Sequence, residues 1–132
     1  MEISAVVRNA PGRHETAVRT GATEQALAVP PKSSAPGSAV SGGELLMLAL
    51  ATCFCNDLHR EAAALGLVLD AVEVEATADF PGVGLAATNV RYSARVSADA
   101  PPEAIAALLE RTDAVAEVHN TLRAGASVTR VA

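Results

Sequence analysis

The chain has 132 residues, half of them hydrophobic, and a formal net charge of −5 at pH 7, which suits one domain with a core of its own. Only 19% of the residues are charged and the mean hydropathy is +0.27, which excludes wholesale disorder. A pI near 5.1 argues against nucleic-acid binding, which needs a basic face.

The apolar half is made of small side chains: 29 Ala and 15 Val, against three aromatics, Phe54, Phe80 and Tyr92. Nine Arg against the single Lys32 point to a GC-rich, bacterial coding sequence. Such a core packs closely and offers few platforms for stacking bases or sugars. The start, MEISAVVRN, alternates like a strand and lacks the basic and apolar regions of a signal peptide. The longest apolar run, Leu45 to Cys55, is eleven residues broken only at Thr52. That is short of the roughly 20 a spanning helix needs, so a soluble cytoplasmic protein with no membrane partner is expected.

In chain order, residues 2–8 and 15–20 read as strands around the turn Asn9-Ala10-Pro11-Gly12, and 25–29 as a third. Residues 30–43 read as a loop. Ser41-Gly-Gly-Glu44 is a capping-box pattern, opening a helix over 43–66 that ends at Gly66. Its first three turns are apolar on nearly every face, the mark of a helix buried on all sides. Val72, Val74, Ala76 and Ala78, then Val90, Tyr92, Ala94 and Val96, alternate with polar residues as two strands joined by a hairpin at Pro81-Gly82-Val83-Gly84. Their Glu and Arg rows are placed to pair across the ladder. Pro102 opens a helix over 102–111, Asp113 caps another over 114–124, and 126–131 is expected as a last strand. The class is α+β, and residues 1–132 read as one domain.

Cys53 and Cys55 are two residues apart, about 200° around a helix, so a disulfide between them requires the helix to unwind. Neither their spacing nor any His spacing makes a metal motif, and no metal or cofactor is expected. Cys53 reads either as a small core hydrophobe or as a thiolate nucleophile, which needs a nearby base or cation. Asn56, Asp57 and Arg60 follow it by three, four and seven residues, on the same helical face. If that face is buried they need partners; otherwise the helix emerges into solvent there. His119 and Asn120 supply the remaining parts of a cysteine-hydrolase constellation.

The stretch SGGELLMLALATCFCNDL, with PGRH near the start and VHNTLRAG near the end, resembles the OsmC/Ohr family of osmotically inducible and organic-hydroperoxide-resistance proteins. The resemblance covers nearly the whole chain, and Glu44 to Cys53 keeps the family's nine-residue spacing. It implies an OsmC-like fold, antiparallel sheets wrapped around a long buried central helix, in an intertwined homodimer with the active sites at the interface. It implies a thiol peroxidase in which Cys53 attacks a small-molecule hydroperoxide, polarised by Arg13 and by a Glu at the helix start. The family's Glu position is Gly43 here; Glu44 is one residue later, about 100° around the helix. The family's second Cys falls at Ala116 here, so an external thiol must reduce the oxidised Cys53. His119, three residues after Ala116, is expected on the same helical face and hence near Cys53, as a base or thiolate partner. The candidate roles are thus catalytic for Cys53, Arg13, Glu44 and His119, and binding for Asn56, Asp57, Arg60 and Asn120. The alternative is a non-peroxidatic member that binds a small ligand in the interface cavity, or a hydrolase built on Cys53 and His119.

Overall fold

A computed structural model describes residues 1–131. The chain divides into two compact units, Met1–Leu45 and Leu46–Ala132. The first carries an antiparallel sheet of β1 (Ile3–Ala10), β2 (Arg13–Thr20) and β3 (Thr23–Leu27), in that order. Pro11 and Gly12 form the β1–β2 turn: proline fixes φ at the first position and Gly12 takes φ 72° at the second. β1 and β2 extend further toward that turn than the sequence pattern indicates, and β3 lies two residues earlier. β1 and β3 have no buried residue: Ile3 is 67% exposed and Val7 60%.

α1 (Gly42–Ala64) opens as its sequence predicts. The Ser41 hydroxyl accepts from the Glu44 N–H at 3.1 Å, and Glu44 Oε1 accepts from the Ser41 N–H at 2.9 Å, satisfying two otherwise orphaned donors. It closes as predicted too. The Leu67 N–H reaches the Ala62 carbonyl at 2.8 Å and the Gly66 N–H the Ala63 carbonyl at 3.1 Å, a Schellman motif that requires the positive φ of Gly66. Among the described residues no helix is long and apolar enough to cross a membrane.

In the second unit β4 (Leu69–Asp79) and β5 (Thr88–Ala98) form an antiparallel pair. The register sets Val72 opposite Val96, Val74 opposite Ala94 and Ala76 opposite Tyr92, with the Glu and Arg rows exposed on the other face. Glu73 lies opposite Arg95, yet no ion pair joins the two strands among the described residues. The exposed side chains keep their water, and Arg91 donates to the Asn89 carbonyl instead. The connection is the irregular stretch 80–87, longer than the expected hairpin turn.

The core joins Phe54, Leu58 and Ala62 of α1 to Leu108 of α2 (Pro102–Val115) and to Ala116, with the inward β4 and β5 residues packed against it. Spaced by four, Leu50, Phe54, Leu58 and Ala62 make one stripe. The expectation of burial on all sides is not met within a single chain: Leu48 is 60% exposed.

The C-terminal third differs from its sequence pattern. α2 runs on through Asp113 to Val115, and α3 (Glu117–Arg123) starts after a break at Ala116, where ψ is 103°. Asp113 caps nothing, because its carboxylate is taken by the Tyr92 hydroxyl and by Arg123. The carbonyls left free at the end of α2 are met by Asn120, on Ala114 at 3.1 Å, and by Arg123, on Asp113 at 3.3 Å. Residues 126–131 form no strand; Val128 is 98% exposed, and alternation alone supplies no neighbour to pair with.

Leu58 is fully buried at the centre of the stripe. Leu58→Ala is expected to cost about 2–5 kcal/mol, read as a lower urea midpoint at fixed protein concentration.

Candidate active site around Cys53

The core-facing side of α1 carries carboxylates as well as apolar groups. Asp57 and Glu61, one turn apart, are both buried and each must find cations or donors. Arg60 Nη1 donates to Asp57 Oδ1 at 2.9 Å, and its Nε donates to Glu61 Oε2 at 3.0 Å. Arg111 of α2 completes the chain, donating to Glu61 Oε1 at 2.7 Å. The two guanidinium groups hold the Glu61 carboxyl below its ordinary range, Arg111 foremost.

Cys53 stands at the open end of this chain, half-buried one turn before Asp57. Its thiol lies 3.6 Å from Asp57 Oδ2 and 3.9 Å from Glu117 Oε2 on the first turn of α3. Burial pushes the thiol pKa up, and the two carboxylates push the same way, while the Val118 backbone N–H pulls against them. At neutral pH the group is therefore a thiol, with the buried Asp57 side chain as its neighbour.

His119 is placed differently from expectation. Only 3% exposed, it packs edge-on to Tyr92 with ring centroids 4.6 Å apart, and against Phe54 at 5.7 Å. Neither ring nitrogen has a hydrogen-bond partner among the described residues, so no hydrogen bond joins His119 to Cys53 here. The expectation assumed one continuous helix through residues 116 and 119, and the break at Ala116 removes that shared face. Burial lowers the imidazole pKa, and Arg123 adds to this, so the ring is neutral.

The other expected residues divide by location. Asp57 and Arg60 join Cys53 directly. Asn56 is exposed and outside the network, while Asn120 is engaged by Ala114 and Arg123. Glu44 has its carboxylate in the capping box. Arg13, in the N-terminal unit, pairs with Glu15 at 2.8 Å. With Lys32 and Ser33 it lines a depression between the β1–β2 turn and residues 31–37. Sequence reasoning missed Glu61, Arg111 and Glu117. The first was open to detection: a carboxylate four residues from Asp57, beside the Phe54–Leu58–Ala62 stripe, demands a cation.

Because the thiol pKa is raised, alkylation of Cys53 by iodoacetamide should climb with pH beyond the point where a free cysteine levels off. Glu117→Gln and Asp57→Asn each remove a negative charge, so both should shift that profile to lower pH and speed alkylation at neutrality.

A family profile described as OsmC-like protein matches residues 35–130. No functionally curated protein matches. Among solved structures, an OsmC-like protein from Mycoplasma pneumoniae is similar at TM-score 0.62 and 18% identity, over 94% of this chain and 87% of that one. An organic hydroperoxide resistance protein from Elizabethkingia anophelis is similar at TM-score 0.62 and 17% identity, over 95% and 90%. An OsmC-like hydroperoxide resistance protein from a Jannaschia species is similar at TM-score 0.57 and 20% identity, over 98% and 89%. These likenesses carry the fold, an α+β arrangement of antiparallel sheets and three helices, and the matched profile carries the assignment: the chain belongs to the OsmC family.

Proposed function

We propose that the protein is a one-cysteine, thiol-dependent reductase of organic hydroperoxides, with Cys53 as the attacking sulfur. The observation that carries this reading is the half-buried thiol with the buried Asp57 carboxylate 3.6 Å away, ready to accept its proton. The names of the Elizabethkingia and Jannaschia relatives supply the substrate class. Cys53 sulfur attacks the terminal oxygen of R–O–O–H and the O–O bond breaks. The thiol proton passes through Asp57 to the departing alkoxide, leaving Cys53 sulfenic acid and R–OH. Arg60 Nη1 holds the Asp57 carboxylate in place through Oδ1 at 2.9 Å. Residue 116, where the family resemblance puts a second cysteine, is Ala, so two external thiols return Cys53 to the reduced state and release water and a disulfide. The setting is a reducing bacterial cytoplasm.

We also propose that the working form is a homodimer. The exposed apolar residues Ile3, Val7 and Leu48 are the support for it. A second reading, a ligand-binding member without peroxidase chemistry, is favoured by the raised thiol pKa and by a cleft of about 260 Å³ lined by Leu50, Tyr92, His119 and Leu122.

Purified protein with a small dithiol should consume an organic hydroperoxide. Cys53→Ser should abolish turnover, Cys55→Ser should preserve it, and Asp57→Asn should slow it about 10²-fold or more. The last effect is opposite in sign to the faster alkylation of the same variant, which separates a proton acceptor from a mere charge. No turnover in the wild type, with Cys53 inert to peroxide, supports the ligand-binding reading instead. Sedimentation equilibrium should give twice the chain mass; a monomer at all concentrations overturns the dimer.

A further inference from the structure

We propose that the cleft beside His119 binds a small apolar carboxylate, a molecule with a ring-sized hydrocarbon body and one acid group. The cleft has a volume of about 260 Å³, against about 150 Å³ for a protein cavity that takes benzene. It is lined from α1, the start of β5 and α3, all within the second unit. Leu50, Val90 and Leu122 give it an apolar side, and the last two are 45% and 41% exposed, so solvent reaches it.

His119 calls for a ligand there. The residue is 3% exposed, and neither ring nitrogen meets a donor or acceptor among the described residues. A neutral imidazole carries one N–H and one lone pair, and burying both unpaired has a cost that a purely apolar side chain avoids. The contacts with Phe54 and Tyr92 need only an aromatic ring, so packing accounts for the ring and not for its nitrogens. A partner from outside the chain accounts for them, and the ring forms part of the wall of the space it would fill.

The charge of the lining selects that partner. In a chain of formal net charge −5, the cleft is lined by two arginines, Arg91 and Arg123, and by no carboxylate. Arg123 is engaged: it pairs with Asp113 at 2.7 Å, and the Tyr92 hydroxyl donates to the same carboxylate. Arg91 has no ion pair among the described residues. Its Nη1 donates to the Asn89 carbonyl at 3.0 Å, and the rest of its fork is left for an anion. One uncompensated positive charge matches a monoanion. A carboxylate takes the Arg91 N–H groups and the imidazole N–H together, while the hydrocarbon body lies against Leu50, Val90 and Leu122. The assignment rests on the ligand-binding reading of this cleft and holds whether or not Cys53 reduces peroxides.

The test titrates the purified protein with phenylacetate in a calorimeter, without peroxide or thiol. Saturable binding of one phenylacetate per chain is expected, with phenylacetamide, its neutral isostere, at least about tenfold weaker. Arg91→Gln, at an exposed position, should weaken phenylacetate about tenfold and leave the urea midpoint unchanged. His119→Phe keeps an aromatic ring and removes the nitrogens. It should raise the urea midpoint of the free protein and still weaken phenylacetate about tenfold, whereas a histidine that only packs would move the midpoint alone. Arg91→Gln keeps the test decisive if the Phe variant fails to fold. No saturable binding of acid or amide overturns the proposal together with the ligand-binding reading. Amide binding as tight as that of the acid, or acid binding that neither variant weakens, overturns the carboxylate site alone.

Discussion

Asp57 and Glu61 occupy the side of α1 that also carries Phe54, Leu58 and Ala62, so two carboxylates are drawn into the core by the same helix turn that buries the apolar stripe. Ionised carboxylates are tolerated there only with cations in contact, and Arg60 and Arg111 provide them. That requirement ties α2 to α1 through Arg111 at one end and sets the surroundings of Cys53 at the other. The acidic surroundings of the thiol and the helix packing follow from one electrostatic condition.

Much of this was legible in the residues. The capping box at Ser41–Glu44 and the closing Gly66 act over four or five residues, so local sequence determines them. The alternation in 72–78 and 90–96 likewise fixed which face of each strand turns inward. What the residues hid depends on partners distant in sequence. Asp113 carries a capping signal, but the Tyr92 hydroxyl and Arg123 outcompete the nearby backbone N–H groups for it. The break therefore falls at Ala116, which has no breaking tendency of its own and is fully buried. The face expected to be shared by Ala116 and His119 goes with it, since no helix continues through 116. Residues 126–131 alternate without a neighbour, and Glu117 gave no signal because an exposed Glu in a helix is ordinary.

The family resemblance singles out Cys53, and the chain's own contacts describe its surroundings. The assignment to OsmC rests on the matched profile, and the fold on neighbours of 17–20% identity. At that distance the chemistry has to be read from this chain's own contacts. Those contacts are acidic: a thiol that meets Asp57 and Glu117 is electrostatically unlike one that meets a base.

The break at Ala116 has a consequence for motion. It leaves α3 a helix of seven residues, well under the roughly 12–15 at which an isolated helix becomes marginal. It stays in place through the bonds of Asn120 and Arg123 to the end of α2 and through the buried ring of His119. An element held this way can detach as a unit while the Phe54–Leu58–Leu108 core stays folded. Glu117 and the Val118 N–H ride on it together, so part of the electrostatic setting of Cys53 depends on the docking of a short segment more than sixty residues away in sequence.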